Sequence, residues 1–127
     1  MPELLPHQIE GVDELYPFQQ EVVDFLSQRT FGLNLLSAGM GKTIINIALA
    51  KKLNAHKTLI VVPKSVIHQW GEVELPKWDK KAKIFIVEGS KLKRLRIYEK
   101  AKQCQERFYL ILGYDTVRTD IAELQKF

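Results

Sequence analysis

The sequence lacks the features of secreted, membrane-spanning and metal-binding proteins. It has one cysteine, Cys104, so no internal disulfide can form and an intracellular protein is the simple interpretation. No apolar run approaches the roughly 18 residues of a membrane span, and the start, MPELLPHQIEG, lacks the basic-then-apolar pattern of a signal peptide. The three histidines do not have metal-ligand spacing. With 127 residues, 46% of them hydrophobic, we expect one soluble globular domain and no membrane partner.

Positive charge is concentrated in one stretch of the chain. The net charge is +4, and residues 77–102 hold 10 basic side chains against 3 acidic ones. The basic residues are Lys77, Lys80, Lys81, Lys83, Lys91, Lys93, Arg94, Arg96, Lys100 and Lys102. Such a patch suits a phosphate backbone. The alternative is the solvated face of an ordinary amphipathic helix.

Apolar runs of strand length alternate with segments of helical period. The predicted strands are 32–36, 58–62 (TLIVV), 83–87 (KIFIV) and 108–112 (FYLIL). Continuous apolar runs are typical of strands covered on both faces of a parallel sheet. The predicted helices are 18–29, 43–53, 66–75, 91–104 and 115–125, with proline junctions after Val62 and Leu75. This order predicts an α/β fold in which three layers, αβα, surround a mainly parallel, doubly wound sheet.

The stretch LLSAGMGKT, residues 35–43, joins the first predicted strand to a helix. It resembles the phosphate-binding signature G-x-x-x-x-G-K-[ST], with Leu36 in place of the first glycine. Glycines here let the backbone approach phosphate oxygens, Lys42 would contact the β- and γ-phosphates, and Thr43 would ligate Mg²⁺. The predicted nucleotide-binding residues are Gly39, Met40, Gly41, Lys42 and Thr43. An ordinary strand-to-helix turn with a solvated lysine is the alternative.

Four blocks in order resemble a known family. They are LYPFQ (15–19), GMGKT (39–43), TLIVVPKSVIHQWGEVELPKW (58–78) and YLILGYDTVRTD (109–120). Together they resemble the first RecA-like lobe of superfamily 2 helicases, most closely the Swi/Snf-type (Snf2-like) DNA translocases. In that family a residue other than glycine often stands where this chain has Leu36. The chain departs from the family at Ser37, usually an acid, and at Gly113, usually a threonine.

The resemblance implies roles for residues outside the phosphate loop. Gln19 would read the adenine of ATP, because an amide offers a donor and an acceptor together. Gln8 is a rival, since LLPHQ (4–8) fits the same block. Lys64 and Ser65 would contact a DNA phosphate, with Ser65 as the cap of the following helix.

The block at residues 109–120 ends just beyond a predicted strand, where open α/β sheets bind ligands. Thr116 and Arg118 are the predicted DNA-phosphate contacts in this block, while Asp115 is expected to cap the helix that follows.

The sequence contains no D-E-x-H box, whose acids hold Mg²⁺ and activate water in superfamily 2 enzymes. We therefore expect residues 1–127 to be a partial first lobe, with the second lobe absent. The parent protein would couple hydrolysis of Mg·ATP to movement along double-stranded DNA. This chain would bind nucleotide weakly, if at all, without turnover. Two alternatives remain: a non-catalytic nucleotide- or DNA-binding remnant, and a small P-loop phosphotransferase.

Overall fold

The computed structural model describes residues 7–9, 12–28 and 42–127. The predicted strand 32–36 and the loop residues Gly39, Met40 and Gly41 lie outside them. The chain divides into two compact units, which are described separately. One is Met1–Ala55 with Lys77–Lys80, and the other is His56–Pro76 with Lys81–Phe127.

The first unit contains a hairpin and two helices. Strands β1 (His7–Ile9) and β2 (Val12–Leu15) pair antiparallel, and helices α1 (Pro17–Ser27) and α2 (Lys42–Lys52) follow. The helices begin and end within two residues of their predicted bounds. The sequence pattern does not predict the hairpin, because strands of three and four residues are too short to show a clear alternation.

Helices α1 and α2 pack against each other through apolar side chains. Val23 of α1 and Ile45 of α2 are fully buried. Pro17 occupies the first turn of α1, where its missing N–H costs nothing and its fixed φ suits the helix. An ion pair between Asp24 and Lys52 adds a polar contact between the two helices.

The second unit is built on a parallel sheet of three strands. These are β3 (Lys57–Val62), β4 (Lys83–Ile86) and β5 (Phe108–Gly113), in the order β3-β5-β4. Both neighbours of β5 run parallel to it. The predicted α/β class with a parallel sheet is confirmed, and it is the architecture of a partial RecA-like domain. All three predicted strands that fall on described residues are present within one residue of their bounds.

Helices cover the two faces of this sheet. Helix α4 (Lys91–Lys102) packs on one face, where its Tyr98 and Ala101 join Phe108, Leu110 and Leu112 of β5 in one core. The alternate residues of β5 point to the other face, because successive side chains of a strand alternate.

A continuous helical run that begins at Lys64 contacts that other face. It comprises a 3₁₀ turn (Lys64–Val66), a π-helical stretch (Gln69–Glu74) and helix α3 (Leu75–Trp78). A Cβ at Gly71 would lie 2.5 Å from Ile86 Cδ1 and 3.3 Å from Ile111 Cδ1. The run therefore contacts the sheet through a residue without a side chain.

The prediction that the helix ends before Pro76 is wrong. Pro76 lies inside α3, directly after the π-helical stretch. There the backbone N–H of Leu75 donates to the carbonyl of Trp70, five residues back. The wider π turn relieves the steric conflict that a proline ring has with a regular α-helical turn.

Two further predictions need correction. Of the three strands of the parallel sheet, only β5 is buried along its whole length, whereas β3 and β4 are partly exposed and Leu59 of β3 is half-exposed. The predicted helix 115–125 is divided into α5 (Tyr114–Thr119) and α6 (Ile121–Leu124) at Asp120. Within the described ranges, no helix has the length and apolar character needed to cross a bilayer.

Candidate functional site

The carboxyl ends of β3 and β5 lie side by side, because Val62 pairs with Gly113 in the parallel ladder. Beyond Val62 the chain enters the 3₁₀ turn Lys64–Val66, and beyond Gly113 it enters α5. Two blocks that are about fifty residues apart in the sequence thus meet at one edge of the sheet. This is the edge at which open parallel sheets bind ligands.

Gly113 lies close to the turn that follows β3. It is buried, and a Cβ built on it would lie 3.6 Å from Ile67 Cδ1 and 3.9 Å from Lys64 Cα. These are ordinary van der Waals distances, so a Cβ fits at this position. The start of α5 therefore lies directly beside that turn.

The predicted DNA contacts lie at this edge and are accessible. Lys64 and Ser65 are exposed in the 3₁₀ turn, Thr116 is half-buried in α5, and the side chain of Arg118 is 82% exposed. Arg118 Nη2 lies 4.0 Å from a carboxylate oxygen of Asp115, which is too exposed and too long a contact to hold the guanidinium in place. Two cations and two hydroxyls therefore lie on the two segments that follow β3 and β5, and their contact with DNA stays a prediction.

Neither predicted helix cap at this edge is formed. Ser65 lies inside the 3₁₀ turn, Pro63 precedes that turn, and no side chain caps it. Asp115 lies in the first turn of α5 after Gly113, and its side chain is 97% exposed. Both helical segments begin two residues earlier than the cap assignment requires, and both polar side chains are exposed.

Asp120, at the end of α5, is the polar residue that sequence reasoning missed. It is 6% exposed, and its Oδ2 accepts hydrogen bonds from Arg94 Nε at 2.7 Å and Tyr98 Oη at 2.6 Å. Arg94 Nη2 also donates to Oδ1 at 3.1 Å. A signal existed, because Asp120 lies on the same helical stripe as the apolar Val117 and Leu124.

This network shifts the pKa values of its members. The hydrogen bonds from Arg94 hold the pKa of the Asp120 carboxyl below its ordinary value, against the opposing effect of burial. Burial, together with donation to the carboxylate, raises the pKa of the Tyr98 phenol far above its ordinary value. At neutral pH the cluster therefore holds a carboxylate, a guanidinium and a protonated phenol.

Part of the basic stretch is engaged in contacts within the fold. Lys77 lies over the ring of Trp78, Lys83 pairs with Glu106, and Lys102 pairs with Glu99. Four exposed cations of α4 have no ion pair among the described residues; they are Lys91, Lys93, Arg96 and Lys100. A role for them in DNA binding stays a prediction.

The predicted nucleotide-binding residues belong to the first unit. Helix α2 begins at Lys42, so Lys42 and Thr43 occupy its first turn, and that turn contains no acidic residue. Gln19 is 4% exposed in α1, and its Oε1 accepts a hydrogen bond from the Tyr16 N–H at 2.9 Å. The rival Gln8 lies in β1.

Within the described part of the chain, the position of Lys42 and Thr43 fits a phosphate site. The first N–H groups of a helix and its dipole favour an anion, and the absence of acids in that turn removes competition for it. Within the described ranges, no group of three or more His, Cys, Asp or Glu side chains could hold a metal ion. The metal prediction therefore rests on Thr43 alone.

The fold and this edge together define a parallel α/β domain of partial RecA-like architecture. Residues 8–127 match the family described as SNF2-related domain. The match spans almost the whole chain, and the chain belongs to this family of Snf2-like, helicase-related ATPases. Members of such a family generally use ATP and Mg²⁺ and act on DNA. None of the curated proteins compared with the chain matches it.

Proposed function

We propose that the protein binds Mg·ATP and double-stranded DNA as the ATP-binding lobe of a Snf2-like DNA-dependent ATPase. The observation that carries the DNA half of this proposal is the pairing of Val62 with Gly113, which brings Lys64 and Ser65 beside the helix that bears Thr116 and Arg118. Family membership over residues 8–127 supports the nucleotide half.

In this proposal Gly39, Met40, Gly41, Lys42 and Thr43 hold the phosphates and Mg²⁺. The start of α2 at Lys42 supports the assignment, because a phosphate loop leads directly into a helix N-terminus. Bound Mg·ATP would supply the γ-phosphoryl group whose transfer to water, with ADP as the leaving group, drives movement in the family. The lysine contributes a positive charge, and the threonine contributes a hydroxyl ligand.

Gln19 is the proposed reader of adenine, and its environment suggests a precise test. Its Oε1 already accepts the Tyr16 N–H, so truncation to alanine would remove a helix-start contact as well as the amide. A Gln19→Glu variant keeps an acceptor for Tyr16 and removes the amide donor. We expect the preference for ATP over GTP to fall in this variant while its circular dichroism stays unchanged. An unchanged preference would transfer the role to Gln8 or remove it.

The DNA half predicts a salt-dependent affinity for a duplex. Lys64→Ala and Arg118→Ala should each weaken binding of a fluorescein-labelled duplex, whatever its sequence. Each should also lower the slope of log affinity against log salt by about 1, since one phosphate contact is lost. The matched control is Lys126→Ala, which removes the same charge from a lysine that pairs with Glu123. Equal affinities for all four proteins would contradict the assignment.

We further propose that this chain binds without turnover. The sequence has no D-E-x-H box to supply the acids that hold Mg²⁺ and activate water. A second RecA-like lobe is the proposed partner that would complete the ATP cleft in the parent protein. A phosphate-release assay with saturating duplex DNA tests this directly: release above background that is lost in Lys42→Ala would overturn the proposal.

A further inference from the structure

We infer that Asp120 is a positioning residue for DNA binding: by joining the end of α5 to α4, it fixes the direction in which Thr116 and Arg118 face the ligand. The inference rests on the proposed DNA-binding function of the β3–β5 edge. It adds a residue that contacts no ligand itself and that the motif pattern does not identify.

Helix α5 needs outside support because it is short. It has six residues and no side-chain cap at its start. Isolated helices of this length are unstable in water, so tertiary contacts must hold this one in place. At its start, Gly113 lies beside Lys64 and Ile67. Its middle contributes Val117 to the core beneath α4.

Asp120 provides the support at the other end. Its backbone N–H donates to the Thr116 carbonyl at 2.8 Å, and its own carbonyl accepts from the Leu124 N–H at 3.0 Å. One residue thus ends α5 and begins the hydrogen bonding of α6. Its buried side chain turns away from solvent to reach Arg94 and Tyr98, both on α4.

Arg94 is itself held rigidly. While Nε and Nη2 face Asp120, Nη1 donates to the Gly89 carbonyl at 2.8 Å. Gly89 has φ +95, a left-handed conformation that favours glycine, and it begins the turn into α4. The guanidinium therefore links three segments: the β4–α4 turn, α4 and the end of α5. A fully satisfied polar network of this kind fixes geometry more strictly than apolar contacts do.

The position of this network matters for the proposed ligand. Thr116 and Arg118 precede Asp120 by four and two residues, within one or two helical turns. Thr116 and Arg118 lie on different sides of the helix, so a rotation of α5 about its axis would change the direction of both side chains relative to Lys64 and Ser65. Sites that bind by several contacts depend on such supporting residues to hold the contacting side chains.

The test exploits the sign of an electrostatic effect. Asp120→Ala removes a negative charge near a DNA-binding edge, so charge alone predicts tighter binding. Positioning predicts the opposite: about tenfold weaker binding and a salt slope lower by about 1 to 2, because the phosphate contacts of α5 are lost. Affinity is measured by anisotropy with a labelled duplex, at a temperature where circular dichroism shows the variant folded.

Asp115→Asn is the matched control. It removes the same charge from the same helix, at a side chain that is 97% exposed. We expect equal or tighter DNA binding for this variant. Binding of ATP, which involves the first unit, should be unchanged in both variants, and this separates a local reorientation from general loss of structure.

Each outcome decides the matter. If a folded Asp120→Ala protein binds DNA as tightly as the wild type or more tightly, the positioning role is overturned while the proposed function stands. If the wild type binds no duplex at all, the proposed function and this inference both fail. If Asp120→Ala does not fold, Tyr98→Phe replaces it, since that variant removes one donor only. A loss of about threefold in DNA affinity then supports the role, and an unchanged affinity overturns it.

Discussion

Arg94 and Asp120 form a two-point ion pair between α4 and the end of α5, with Nε and Nη2 donating to separate carboxylate oxygens at 2.7 and 3.1 Å. The side chains are 16% and 6% exposed. Such a fork-to-carboxylate geometry is the strongest arrangement available to an arginine. The two residues are 26 positions apart, so the pair joins segments that are distant in the sequence.

The first prediction concerns the stability of the protein at acid pH. The hydrogen bonds from Arg94 lower the pKa of Asp120, so the unfolded chain takes up this proton at a higher pH than the folded protein does. The stabilisation by Asp120 should therefore be complete above the ordinary carboxyl pKa of about 4 and lost as the pH falls through the lower folded value. Urea unfolding of wild type and Asp120→Asn at several pH values measures how this stabilisation depends on pH.

At neutral pH we expect Asp120→Asn to lower the free energy of unfolding by about 2 to 3 kcal/mol, because hydrogen bonds between charged groups are weakened in a buried place. The difference should shrink below pH ~4. The control Asp115→Asn should stay within about 0.5 kcal/mol of wild type throughout. A difference for Asp120→Asn that is independent of pH would contradict the ionised state assigned to its carboxyl.

A second prediction concerns His68. Its two ring nitrogens lie 3.2 Å from Glu72 and 2.9 Å from Glu88, and these carboxylates raise the pKa of the imidazole, the hydrogen bond to Glu72 most of all. The sign is opposite to that of Asp120: the stabilisation is complete below the ordinary histidine pKa and is lost as the pH rises through the higher folded value. An NMR titration of the ring should give a pKa above 6.5, the ordinary value.

Variants at the two glutamates test the cause. Glu72→Gln and Glu88→Gln should each lower the measured pKa of His68, and the double variant should lower it further. The control Glu106→Gln changes a carboxylate that pairs with Lys83 instead. A pKa of His68 that does not respond to either glutamate would show that the two contacts do not persist in solution.

The third prediction concerns packing at Gly71. A methyl group there would lie 2.5 Å from Ile86 Cδ1 and 2.8 Å from Ile86 Cγ1, so either the Ile86 side chain or the helical run must shift. We expect Gly71→Ala to destabilise the protein by about 1 to 3 kcal/mol, the usual cost of overpacking. Urea unfolding monitored by circular dichroism gives the value.

Ile86→Val provides the compensating change, since it removes the nearest atom, Cδ1. Alone it should cost about 1 kcal/mol. Combined with Gly71→Ala, it should cost less than the sum of the two single changes, because the clash is relieved. Simple additivity in this double-mutant cycle would mean that the two residues are not in contact.

The fold was predictable wherever burial dominates the sequence. Runs such as FYLIL identify strands because a strand enclosed by helices needs apolar residues at every position. The interruption at Asp120 was not predictable, because its partners on α4 are distant in sequence. The placement of Pro76 within a helix was not predictable either, since it depends on the π turn before it.

The candidate site was predictable in its residue types and only partly in its geometry. The blocks around Lys64 and Thr116 identify polar residues beyond two strands, but their meeting depends on the strand order β3-β5-β4. That order places β5 between two strands that precede it in the chain. The caps expected at Ser65 and Asp115 fail because each helical segment begins two residues earlier than expected, which places both side chains within the first turn instead of before it.

The central claim is that the stretch ending in Lys42 and Thr43 binds Mg·ATP. Equilibrium titration of wild type, Lys42→Ala and Lys52→Ala with Mg·ATP tests it most directly, because Lys52→Ala removes the same charge from the opposite end of α2. We predict saturable binding of Mg·ATP by the wild type. Lys42→Ala should weaken this binding roughly tenfold or more, the usual contribution of a charge-assisted hydrogen bond. Lys52→Ala should leave the affinity unchanged. Equal binding by wild type and Lys42→Ala, or no binding by the wild type, would contradict the account.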